Sequence, residues 1–101
     1  MGTREELDAL LCRQTENENV YFQPPENLQL HYPCTIYHLD GLYEPKADNI
    51  DYHRVRRYSL LYITHDPDDQ NIERISDLPF CSMGRPYVAD NLHHYPYTIY
   101  F

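Results

Sequence analysis

Six histidines are the first side chains here with the means to do chemistry: His31, His38, His53, His65, His93 and His94, with Asp51 and Asp66 close to two of them. Imidazoles and carboxylates hold a divalent ion only when several donors converge, and the usual spacings for that are HExxH, CxxC or an EF-hand loop. None of these spacings occurs. His93 and His94 are adjacent, so on a strand they point to opposite faces. The histidines read as solvated or hydrogen-bonded side chains, and no metal is expected.

Nucleophilic catalysis needs a Ser or Cys held against a base and an oxyanion hole, commonly on a glycine-rich elbow. The chain has three glycines in all, and no phosphate-cradling GxGxxG or GxxxxGK[ST] run. Gly41 and Gly84 read as turn residues. Cys12, Cys34 and Cys81 are odd in number, widely spaced and set among apolar neighbours, which fits reduced thiols serving as small core residues. Asp68-Asp69, and Asp48 with Asp51, are paired carboxylates, yet helix starts and turns already account for acids at such places. No catalytic residue, no cofactor and no enzymatic activity are expected.

The distinctive residue is tyrosine, with eleven copies against three Phe and no Trp. Tyr joins a large apolar ring to a polar tip and is enriched at contacts between proteins, although a tyrosine-rich sheet core is the plainer use of the same residues. Tyr58, Tyr87 and Tyr95 are candidates for subunit contacts. Sixteen acidic residues face eight basic ones, a formal charge of −8. That balance disfavours acidic membranes, general nucleic-acid binding and base stacking on single strands, whose affinity comes largely from Lys and Arg on phosphates. The one basic cluster, Arg54, Arg56 and Arg57, reads as a solvated or interfacial face that pairs with acids of a neighbour, with Asp48 and Asp51 the candidates.

The elements that must carry these residues follow from local patterns. A length of 101 residues fits one domain, 1–101, with ordinary hydrophobic content of 42%. No apolar run reaches the ~20 residues of a membrane span, and no leader sequence is expected. Thr3 and Glu6 form a capping box ahead of Leu7, Leu10 and Leu11, predicting an N-terminal helix that fades near Arg13. Asn19 to Gln23 is a short extended piece stopped by Pro24-Pro25, so it belongs at an edge. Cys34 to Leu39 is a strand closed by the turn pair Asp40-Gly41. The run from about Tyr52 to Thr64 is apolar on both faces in its second half, as a central strand is. Asp66 as cap with Pro67 at the first helical position predicts a second helix, lined by Ile72, Ile75 and Leu78 or Ser76 and stopped by Pro79. A closing hairpin is expected, one strand around Phe80 to Val88 and one from Tyr95 to Phe101. Ala47-Asp48-Asn49-Ile50 and Ala89-Asp90-Asn91-Leu92 read as two similar turns. The expected class is α+β: a mostly antiparallel sheet of about four to five strands, an N-terminal helix and one helix packed on the sheet.

Several stretches resemble a known family. Asn19-Val20-Tyr21-Phe22-Gln23-Pro24-Pro25, Tyr32-Pro33-Cys34-Thr35-Ile36-Tyr37, Ala47-Asp48-Asn49, Arg57-Tyr58-Ser59-Leu60-Leu61-Tyr62-Ile63, Asp66-Pro67-Asp68, Leu78-Pro79-Phe80-Cys81, Arg85-Pro86-Tyr87 and Ala89-Asp90-Asn91-Leu92-His93-His94 are similar to small neck and tail proteins of long-tailed bacteriophages, of the tail-terminator or tail-completion type. The resemblance implies a structural virion protein. It would form a homo-oligomeric ring, commonly a hexamer, that caps the tail tube and joins it to the head. The implied partners are the tail-tube and head-connector proteins, and the ring would encircle DNA without sequence-specific binding and without membrane contact. Its place would be the virion neck, after assembly in the host cytoplasm. A small acidic inhibitor or regulatory module that mimics DNA is the alternative the same composition allows.

Overall fold

The capping box forms as the sequence predicts. In the computed structural model, which describes residues 2–43 and 55–101, the Thr3 hydroxyl accepts from the Glu6 amide and the Glu6 carboxylate accepts from the Thr3 amide. Helix α1 then runs over Arg4–Thr15, buries Leu7 and Leu11 and leaves Leu10 half-buried. It ends where Glu16 turns left-handed, φ 54°, two residues past the predicted fade at Arg13.

Strand β1, Val20–Phe22, pairs parallel with β2, Cys34–Tyr43. It is an edge strand, as Pro24-Pro25 requires. Strand β3, Val55–Thr64, is central, between β2 and β6, Leu92–Tyr100. The outer side of β6 is shared by two short strands, β4, Cys81–Met83, and β5, Tyr87–Ala89. The sheet therefore has six strands, with order β1-β2-β3-β6-β4 and β5 beside β6. All its pairings except β1 with β2 are antiparallel. The class is α+β, with one or two strands more than the sequence pattern resolved.

Three local predictions are corrected. Asp40-Gly41 is not a turn. β2 continues through it, with a register shift between Leu39 and Gly41, a bulge that adds one residue to β2. Arg57 on the opposing strand clamps the bulge, its Nε 3.1 Å from the Asp40 carboxylate and a terminal nitrogen 3.1 Å from the Asp40 carbonyl. A Cβ on Gly41 would lie 2.9 Å from that guanidinium, so the glycine makes room for the clamp. The second helix starts late: α2 covers Asn71–Ser76 and not the residues after Pro67. Asp66 Oδ1 accepts the Asp68 amide and Asp69 Oδ1 accepts the Asn71 amide, so side chains satisfy the backbone in successive turns before a helix can form. The closing hairpin is split. Its tight turn is Asp90-Asn91, with φ 53° and 62°, the pair that a two-residue hairpin favours, but β4 and β5 are separate strands. The similar turn at Ala47–Ile50 lies outside the described residues.

Pro96 explains the split. Its carbonyl accepts the Gly84 amide at 2.7 Å, and in an antiparallel strand a residue's N and O point the same way. The missing N–H therefore faces the β4 and β5 side, and no β3–β6 bond is lost.

Both helices cover one face of the sheet. The core between helices and sheet is formed by Leu7, Leu11, Tyr37, Tyr58, Leu60, Tyr62, Ile75, Leu78, Tyr97 and Ile99. A smaller cluster on the other face gathers Cys34, Ile36, Ile63 and Leu92, covered by Tyr21 and Leu30.

Candidate functional site

Tyr58, expected at a contact, is 1% exposed in the core with Tyr37, Tyr62 and Tyr97. For these four residues the plainer use, a tyrosine-rich core, is the one realised. Three of the four place their hydroxyls on partners inside the chain. Tyr37 donates to Asp8 at 2.8 Å, Tyr62 to Asp69 at 2.7 Å and Tyr97 to the Ile72 carbonyl at 2.7 Å. Burial, reinforced by hydrogen bonding to the Asp8 carboxylate, pushes Tyr37 up to about 12. Burial raises Tyr62 and Tyr97 as well. These phenols stay protonated near neutrality and act as fixed donors.

The thiols are similarly quiet. Burial pushes Cys34 and Cys81 up to about 11, which keeps the nucleophilic thiolate scarce. Cys12 is raised by burial and by the nearby Asp8 carboxylate.

An open depression of about 510 Å³ is lined by Asp66, Asp68 and Asp69 with Asn71 and Arg74. Asp69 is already engaged, since Oδ2 accepts from both Tyr62 and Thr64. Among the described residues no three His, Cys, Asp or Glu converge as an ion would need. No helix among them is long and apolar enough to cross a membrane.

The predicted interface residues scatter. Arg54, Asp48 and Asp51 lie outside the described residues. Arg56 is exposed at the start of β3, whereas Arg57 is spent on Asp40 within the chain. Tyr87 is exposed and stacked on His94, with ring centroids 4.8 Å apart and planes 11° apart. Tyr95 is half-buried, and burial with the nearby acids Asp68 and Asp66 raises its pKa.

What the sequence did not point to is an apolar cavity of about 580 Å³ between α1 and the end of β6. Leu10, Phe80, Ile99 and Phe101 line it. Phe80 is 80% exposed on a left-handed backbone, φ 57°, a conformation that costs a bulky residue energy. Register extends the apolar surface. Leu39 shares a row with Tyr58 and Ile99, and Leu42 lies opposite Arg56, whose carbonyl accepts the Phe101 amide. Leu39 and Leu42 are three apart and would face opposite ways in a regular strand. The bulge at Asp40 returns both to the helix side. On the far side of the sheet, β4 and β5 expose Met83, Tyr87 and Val88. A positive φ after Pro79 and one extra residue in β2 are the features behind this surface, and neither has a composition signal.

No family model matches the chain, and no curated protein or solved structure is significantly similar to it.

Proposed function

We propose that this chain is a structural assembly subunit, a virion protein of the bacteriophage neck of the tail-terminator type. Copies join side to side in a ring, commonly a hexamer, that caps the tail tube and joins it to the head-connector proteins. The observation that carries the proposal is the inequality of the sheet's two sides. One edge ends in β1 and the outer part of β2, with Leu39 and Leu42 exposed; the other ends in the interrupted β4 and β5, with Met83, Tyr87 and Val88 exposed. Ring closure requires each subunit to offer two different surfaces. Exposed apolar groups on both sides fit that requirement, because apolar surface gathered at one place on a soluble chain marks contacts. A formal charge of −8 would let DNA pass through the lumen without sticking.

The chain uses its polar side chains for caps, turns and neighbour contacts, with no catalytic role and no cofactor. It acts in the virion after assembly in the host cytoplasm. The test is sedimentation of the purified chain, followed by electron microscopy with tail tubes. A discrete ring bound only at tube ends is expected. A strict monomer that binds a basic DNA-binding protein would instead favour an inhibitor that mimics DNA, for which the excess of acids, including exposed Asp66 and Asp68, is the supporting observation.

A further inference from the structure

The apolar cavity beside α1 has one charged residue in its lining among the described residues, Glu6. The capping box uses Glu6 Oε1, which leaves Oε2 available at the rim. A cavity of about 580 Å³ is of the size that takes large apolar groups, for which roughly 300–1,000 Å³ is usual. An occupant suited to it is apolar with a cation beside it, because the one charge of the lining is negative and complementary charges fix the register of a contact.

The chain itself carries such a surface. Met83 pairs with Tyr97 and Val88 with His93. Tyr97 and His93 lie an even number of residues apart on β6, so Met83 and Val88 project on the same side of the sheet. Both are exposed, Val88 by 63%. Between them Arg85 is exposed and makes no ion pair or hydrogen bond among the described residues. Apolar groups around an unspent arginine make a strong contact element, since Arg is enriched at the centres of interfaces.

We infer that the cavity receives the β4–β5 side of a second copy of this chain, with Arg85 of the neighbouring copy against Glu6 and its Met83 and Val88 over Leu10, Phe80 and Phe101. The contact joins two different surfaces, so repetition generates a ring or a filament and not a closed pair. It rests on the assembly proposal above and gives that proposal its two faces.

The test is a charge swap read by sedimentation velocity over a concentration series. Glu6→Arg and Arg85→Glu should each weaken association about tenfold or more, and the double variant should recover most of that loss, as complementary interface charges do. Glu6→Arg also removes half of the capping box, so Glu6→Gln is run beside it. Gln keeps the reciprocal cap and loses only the charge, and its association should fall by a few fold. Thermal unfolding of each variant confirms the fold. If the wild-type chain assembles and Arg85→Glu and Glu6→Gln assemble equally well, this contact is wrong while the assembly proposal stands. A swapped pair that fails to recover also rules out the contact and leaves the assembly proposal in place. A wild-type chain that stays monomeric at every concentration overturns both.

Discussion

The helix-covered face of the sheet has two ends that solve the same packing problem differently. Near α2, the polar tips of tyrosines are absorbed by the chain. Tyr62 donates to Asp69 and accepts from Asn71, whose amide also reaches the Thr15 carbonyl and so ties α2 to α1. Near the start of α1, Leu10, Phe80, Ile99 and Phe101 have no polar tip to satisfy, and they surround a cavity. The first end is closed and self-sufficient, because every buried polar side chain described there has a partner. At the second end Phe80 is turned outward on a positive φ, while Ile99 is buried and Leu10 and Phe101 are half-buried.

The comparison can be broken from the sealed end. Leu11→Ala, at a site with no exposure, should destabilise the fold by ~3 kcal/mol, as buried leucines do. Phe80→Ala should cost no more than about 0.5 kcal/mol, because that ring is already in water. Urea unfolding of both variants measures the contrast, and equal losses would remove it.

Alkali sharpens the same contrast. Tyr37, raised from 10 to about 12, and Cys34 and Cys81, raised from 9 to about 11, hold their protons more tightly folded than unfolded. Such groups contribute stability that is fully present below the unfolded pKa and is lost as pH rises through the folded one. Stability should therefore begin to fall above about pH 9, with Tyr37 alone accounting for on the order of 2 kcal/mol by pH 12. Denaturation midpoints between pH 7 and 12 record this. Tyr37→Phe should flatten the upper part of the curve.

A smaller loss, ~1–2 kcal/mol, is expected for Tyr62→Phe, which takes one donor from Asp69 and one acceptor from Asn71. Asn71 keeps its bond to Thr15, so the two helices should stay docked, which hydrogen exchange of α2 amides would report. The smallest effect comes from the open end. Phe80→Gly relieves the positive φ and should leave stability unchanged or raise it by about 0.5–1 kcal/mol. A clear loss in that variant would mean the ring is packed against something in the free chain.

Much of this fold is legible before any coordinates. The capping box, the Pro-Pro stop after β1, the central strand with apolar residues on both faces and the Asp90-Asn91 turn are local devices whose effect is settled within a few residues. Where local devices compete, the sequence misleads. Asp66-Pro67-Asp68-Asp69 has the residues of a helix start, but Asp66 and Asp69 each close a turn on the amide two residues on, and Tyr62 and Thr64 recruit Asp69 from a neighbouring strand. The site is less legible still. Tyr58 carries the same residue type as exposed Tyr87, and only its position on β3 under the helices decides that it is core. The open cavity depends on how α1, β6 and the Pro79-Phe80 step meet, residues at opposite ends of the chain, and no spacing in the sequence records that meeting.

The extra residue in β2 is a tie across the strands. Deleting Asp40 would leave Leu39 and Leu42 two apart in a regular strand, so both would keep the helix side. What would go is the grip of Arg57, whose guanidinium holds the Asp40 carboxylate and carbonyl. A one-residue deletion there would remove a cross-strand anchor while leaving the leucines facing the same way.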